Sequence, residues 1–147
     1  MTNLGKILLV EDDPNDVELT LTALDENHLA NEVVVARDGE EALDYLYRRG
    51  TYTSREAGNP SVVLLDLKLP KVDGLEVLKK IKSDPDLKKV PIVILTSSRE
   101  EQDLVRSYDS GVNAYVVKPV GFESFIEAIK EVGLFWGIVN QPPPGSA

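Results

Sequence analysis

The chain has 147 residues, with 25 acidic against 16 basic side chains and a formal net charge of −9. That length suits one domain with a substantial core, and an acidic balance with scattered basic residues argues against nucleic acid as a partner. The absence of cysteine excludes disulfides and thiolate metal sites; the N-terminal apolar run is too short for a signal peptide or a membrane span, so a soluble cytoplasmic protein without membrane contact is expected.

Taken in order, Lys6 to Val10 reads as a short apolar strand that stops at Glu11-Asp12-Asp13. Pro14 at a first helical position behind an Asp cap is a normal helix start, and Val17, Leu21 and Leu24 recur at helical spacing to about Asn27. Val33 to Ala36 is the second strand, and Asp38 with Glu41 three residues later has the capping-box spacing of a second helix start. Residues 50–60 are polar and aperiodic, a loop that lengthens the second crossover. Val62 to Asp66 follows as four apolar residues running into a carboxylate, the pattern of a parallel strand buried on both faces. The Pro70 to Gly74 turn leads to a helix from Gly74 to Ser83, which Asp84-Pro85-Asp86 ends. Pro91 to Leu95 is a fourth strand leading to Thr96, and Arg99 to Ser110 is a fourth helix with a weak apolar stripe. Ala114 to Val117 is a fifth strand ending at Lys118-Pro119, and Phe122, Phe125, Ile126 and Ile129 mark a fifth helix. Five strands alternating with five helices define a doubly wound parallel α/β sheet with right-handed crossovers. Residues 141–147 read as a flexible tail after a folded unit spanning 1–140.

In such a sheet, ligands bind outside the carboxyl ends of the strands. That edge collects Asp12 and Asp13 from the first strand, Asp66 from the third, Thr96 from the fourth and Lys118 from the fifth. Oxygen ligands without His or Cys suit a hard cation such as Mg²⁺, and a lysine and a hydroxyl beside the same carboxylate suit the oxygens of a phosphoryl group. Asp66 thus reads as a nucleophile that accepts phosphate, against the plainer reading of an Asp that turns the loop.

The set Glu11-Asp12-Asp13, Asp66 with Pro70 and Gly74, Thr96-Ser97, and Lys118-Pro119 preceded by Tyr115 resembles the receiver domain of two-component response regulators. The resemblance covers the chain up to its tail. It implies the flavodoxin-like strand order 2-1-3-4-5, with Asp66 as phospho-acceptor, Thr96 and Lys118 as its catalytic neighbours, and Thr96 with Tyr115 as a switch pair. It further implies Mg²⁺ or Mn²⁺ held by Asp12, Asp13, Asp66 and the backbone carbonyl of Lys68, and a cis bond between Lys118 and Pro119. The expected partner is a sensor histidine kinase, and the chain would promote its own phosphorylation and dephosphorylation without being a turnover enzyme. The long second crossover, the phrase from Leu65 to Gly74 and the apolar Leu134-Phe135-Trp136 are similar to single-domain regulators paired with bacterial phytochromes, notably cyanobacterial ones.

Two alternatives stand beside this reading. An aspartyl-nucleophile phosphatase would resemble Asp-x-Asp, whereas position 68 is Lys. A degenerate receiver kept as an interaction scaffold would not need the intact set of Asp12, Asp13, Asp66, Thr96 and Lys118. The apolar residues Phe135, Trp136, Ile138 and Val139, continuing past Gly133, point with Phe122 to a homodimer interface, because contiguous exposed apolar residues mark contact surfaces.

Overall fold

In the computed structural model, the described residues are 6–25, 33–55, 58–67, 69, 71–96, 114–118, 121, 123, 124 and 127. Five strands, β1 (Ile7–Val10), β2 (Val33–Ala36), β3 (Val62–Asp66), β4 (Ile92–Thr96) and β5 (Ala114–Val117), form one sheet in the order β2-β1-β3-β4-β5. All four pairings are parallel, as the alternation with helices requires, because a parallel neighbour is reached only through a crossover. The described helices are α1 (Pro14–Asp25), α2 (Gly39–Tyr47) and α3 (Gly74–Ser83). The expected fourth helix, the tail and most of the fifth helix lie outside the described residues.

The continuous apolar runs arise because both faces of the sheet are covered. Leu8, Val10, Val63, Leu65, Ile92 and Ile94 pack with Leu43, Leu46, Val77, Leu78 and Ile81 of α2 and α3. The alternate residues Ile7, Leu9, Val62, Leu64, Val93 and Leu95 pack with Val17 and Leu24 of α1. A period of two therefore assigns each strand residue to one of two cores. The outer strand β2 has Val33, Val34 and Val35 only half-buried, as an edge position dictates.

Local chemistry sets the helix starts. Asp38 Oδ1 accepts the Glu41 N–H at 2.7 Å, the first half of the expected capping box. The second half closes one residue early, because Glu41 Oε1 accepts from the Arg37 N–H at 3.0 Å. The other Glu41 oxygen accepts from the Tyr52 hydroxyl at 2.6 Å, and the Tyr52 ring stacks edge-on against Tyr45 with centroids 5.1 Å apart. The 50–60 segment, expected as plain loop, thus contains a 3-10 turn at Gly50–Tyr52 pinned to α2. Arg55 adds to this, donating to the Tyr45 carbonyl at 2.7 Å with its guanidinium 4.1 Å from the Tyr45 ring centre. Among the described residues no helix is long and apolar enough to cross a membrane.

Candidate functional site

Strand register brings the expected residues to one edge. Val10 lies opposite Leu65 and Asp66 opposite Leu95, while Thr96 lies opposite Val117 and its carbonyl accepts the Lys118 N–H at 2.7 Å. Glu11, Asp66, Thr96 and Lys118 therefore end β1, β3, β4 and β5 side by side. Glu11, Asp66 and Thr96 are buried, a costly placement for carboxylates unless charge or hydrogen bonds compensate.

Lys118 supplies the compensation. Its Nζ lies 2.8 Å from Glu11 Oε1, 3.1 Å from Asp16 Oδ2 and 3.1 Å from Asp66 Oδ2. Burial alone would lower the lysine pKa, but the carboxylates of Glu11, Asp66 and Asp16 outweigh it and hold the ammonium above the ordinary lysine value. Glu11 responds oppositely: burial pushes its carboxyl up to about 7, with Lys118 pulling it back and the Asp66 charge pushing it further up.

Of the expected metal-site acids, Asp12 and Asp66 converge, and Glu11 rather than Asp13 joins them. Carboxylate oxygens of Glu11, Asp12 and Asp66 lie within 4.8 Å of one another, a group able to hold a metal ion. Asp13 is outside this group. Its Oδ1 accepts the N–H groups of Asn15 at 2.8 Å and Asp16 at 3.3 Å, so it caps α1. The physical reason is local: the chain must leave β1 and enter a helix within three residues, and the last acid before Pro14 is consumed by the exposed helix donors. Glu11 takes its place in the pocket, with Oε2 accepting the Asp13 N–H at 3.2 Å. Glu11 Oε1 is buried without an aligned hydrogen bond; at 2.8 Å from Lys118 Nζ it has an ion pair alone. An all-oxygen set containing such an under-coordinated carboxylate fits a hard divalent cation.

The expected Lys68 carbonyl lies outside the described residues, as do the Lys118–Pro119 bond and the interface residues Phe122, Phe135 and Trp136. Tyr115 is half-buried on β5 and packs against the core between the sheet and α2 and α3. Asp16 escaped the sequence reading altogether. It lies 102 positions from Lys118, and an acid in a first helical turn signals only a favourable helix dipole.

Two glycines fix the loop between β3 and α3. A Cβ on Gly74 would stand 2.4 Å from the Asp66 carbonyl oxygen and 2.6 Å from Leu67 Cα, and a Cβ on Gly39 would stand 1.9 Å from the Val72 carbonyl oxygen. The loop thus folds back onto its own acceptor residue and onto the start of α2. The Gly74 N–H donates to the Leu67 carbonyl at 3.0 Å, Asp73 caps α3 through the Leu75 N–H at 3.1 Å, and Lys71 takes a left-handed φ of 67°.

Residues 7–130 match the family model for the response regulator receiver domain. The bacteriophytochrome response regulator AtBRR has a solved structure that is 66% identical, with a TM-score of 0.87, covering 91% of this chain and 96% of its own. The phosphorylated cyanobacterial phytochrome response regulator RcpA is 44% identical, with a TM-score of 0.73, covering 91% and 94%. Response regulator Rcp1 of Synechocystis sp. is 39% identical over 130 residues, 88% of this chain and 87% of its own. Its Mn²⁺-bound form superimposes with a TM-score of 0.71 over 90% of this chain and 94% of that one.

Proposed function

Because the chain belongs to the response regulator receiver family, we propose that it accepts a phosphoryl group on Asp66 from a phosphohistidine of a sensor kinase. The observation that carries this is the buried Asp66 carboxylate held 3.1 Å from Lys118 Nζ within an acidic, metal-competent cluster. An Asp66 carboxylate oxygen attacks phosphorus, the P–N bond to the donor imidazole breaks, and its electron pair stays on the imidazole nitrogen. The Lys118 ammonium, already on the acceptor, follows the charge onto a phosphoryl oxygen, and the buried Thr96 hydroxyl serves another. Glu11, Asp12 and Asp66 would hold Mg²⁺ or Mn²⁺, and Mn²⁺ is the ion bound in the Rcp1 structure. When bound, that cation neutralises charge on the transferring group and orients it. Incubation with acetyl phosphate and Mg²⁺ is expected to add one phosphoryl mass; an unchanged mass would reject the acceptor.

Thr96 and Tyr115 are proposed to couple the pocket to the surface. Both sit on adjacent strands, with Tyr115 opposite Ile94 two residues before Thr96. A hydroxyl drawn toward a phosphoryl oxygen changes the space open to the aromatic ring. The kinase is proposed to be a bacterial phytochrome, on the strength of relatives named as phytochrome response regulators.

The raised Glu11 pKa gives a pH dependence. A carboxyl at about 7 in the folded chain carries a proton that the unfolded chain has lost above its ordinary value of 4.5. Without cation, stability therefore falls as pH rises through that window. Cation binding needs the carboxylate, so Mg²⁺ affinity should climb across the same window by up to about tenfold per pH unit and level off above it. Thermal midpoints with and without Mg²⁺ at stepped pH check this; a Mg²⁺ shift independent of pH would reject Glu11 as the proton-linked ligand.

A homodimer through the β5 side of the sheet is proposed as the means by which a change at Tyr115 reaches another molecule. It is supported by Val117, 54% exposed on β5, and by the apolar residues Phe135 and Trp136. Sedimentation at micromolar protein should show a dimer that Phe135→Ala with Trp136→Ala weakens by about tenfold or more, as expected for removal of two aromatic anchors. A monomer with and without a phosphoryl mimic would reject it.

A further inference from the structure

We infer that Asp16 is a positioning residue that ties Lys118 to the α1 side of the pocket and thereby opposes capture of the phosphoryl group. The inference rests on the phospho-acceptor reading of Asp66. Lys118 Nζ, with three hydrogens, donates to Asp16 Oδ2 and to Asp66 Oδ2 at 3.1 Å each and forms an ion pair with Glu11 Oε1 at 2.8 Å. Glu11 and Asp66 also belong to the metal-competent cluster, whereas Asp16 does not. A bound cation would therefore relieve the first two of their dependence on Lys118. Asp16 would keep its claim on the lysine.

A phosphoryl group arriving on Asp66 brings oxygens that need that ammonium. Each hydrogen held by Asp16 is one withheld from them, and the Asp16 charge stands across a single ammonium from the incoming anion. Both effects have the same sign. The side chain is part-buried, 28% exposed, so solvent screens the repulsion incompletely. The competing explanation is that Asp16 merely favours the helix dipole from the first turn of α1. That role predicts a less stable helix on substitution and gives no reason for tighter anion binding.

The test uses the full chain with saturating Mg²⁺ and beryllium fluoride as the phosphoryl mimic, with affinity read by fluorine NMR and folding by thermal midpoint. Asp16→Asn keeps the shape and removes the charge, Asp16→Leu removes both charge and acceptor, and Asp16→Glu keeps the charge. The Asn and Leu variants are expected to bind beryllium fluoride about three- to tenfold more tightly than wild type, with Glu close to wild type. The gain should shrink as salt is raised. Unchanged or weaker binding in either neutral variant, with the wild type binding normally, overturns the inference alone. A wild-type protein that binds no beryllium fluoride overturns the acceptor reading and the inference with it.

Discussion

Asp66→Asn is expected to abolish phosphorylation by acetyl phosphate while leaving the protein folded and no less stable. The loss should span several orders of magnitude, the scale of removing a covalent nucleophile, because an amide oxygen lacks the charge and basicity to hold a phosphoryl group. Stability should move the other way from most buried substitutions. Glu11 and Asp66 are both buried and both lie against Lys118, and the Asp66 charge helps raise the Glu11 carboxyl. Removing one of two like charges relieves that repulsion, while Lys118 keeps Glu11 and Asp16 as partners. Intact mass after acetyl phosphate and Mg²⁺, read beside the thermal midpoint, separates the outcomes. Labelling of Asp66→Asn at the wild-type rate would place the acceptor elsewhere, and a sharp fall in midpoint would mean that the Asp66 charge stabilises the apo pocket.

Gly74→Ala is expected to be the most damaging small substitution near the site. A methyl there would meet the Asp66 carbonyl oxygen at 2.4 Å, Leu67 Cα at 2.6 Å and the Leu67 carbonyl oxygen at 2.7 Å. All three are backbone atoms, so no side chain can turn aside. Relief requires moving the Asp66–Leu67 peptide or the first turn of α3, whose residues Val77, Leu78 and Ile81 are fully buried. Overpacking of this kind costs about 1–3 kcal/mol, which for a domain of this size lowers the thermal midpoint by roughly 2–12 °C. Alanine's better helix propensity offsets little at a helix's first position. Since the same peptide carries the acceptor, phosphorylation should slow as well, and a displacement of about 1 Å suffices for a hundredfold effect. An unchanged midpoint together with an unchanged labelling rate would show that the loop yields freely and that Gly74 serves no positioning role.

The sheet and most of its edge are legible in the order of residues. Runs such as Val62 to Leu65 are unbroken because both faces of a central parallel strand are covered, and the polar residue that ends each run marks where the cover stops. Asp66, Thr96 and Lys118 were legible for that reason. Which acids share the pocket depends on packing that spacing does not encode. Glu11, Asp12 and Asp13 are consecutive, and spacing cannot rank neighbours whose side chains diverge at a strand-to-helix turn; the unsatisfied N–H groups of α1 take Asp13, and Glu11 turns inward to Lys118. Asp16 lay beyond sequence reasoning because its partner is 102 positions away. Only the tertiary fold brings that carboxylate from the first turn of α1 to Lys118 at the end of β5, where the ammonium donates to it and to Asp66 and forms an ion pair with Glu11.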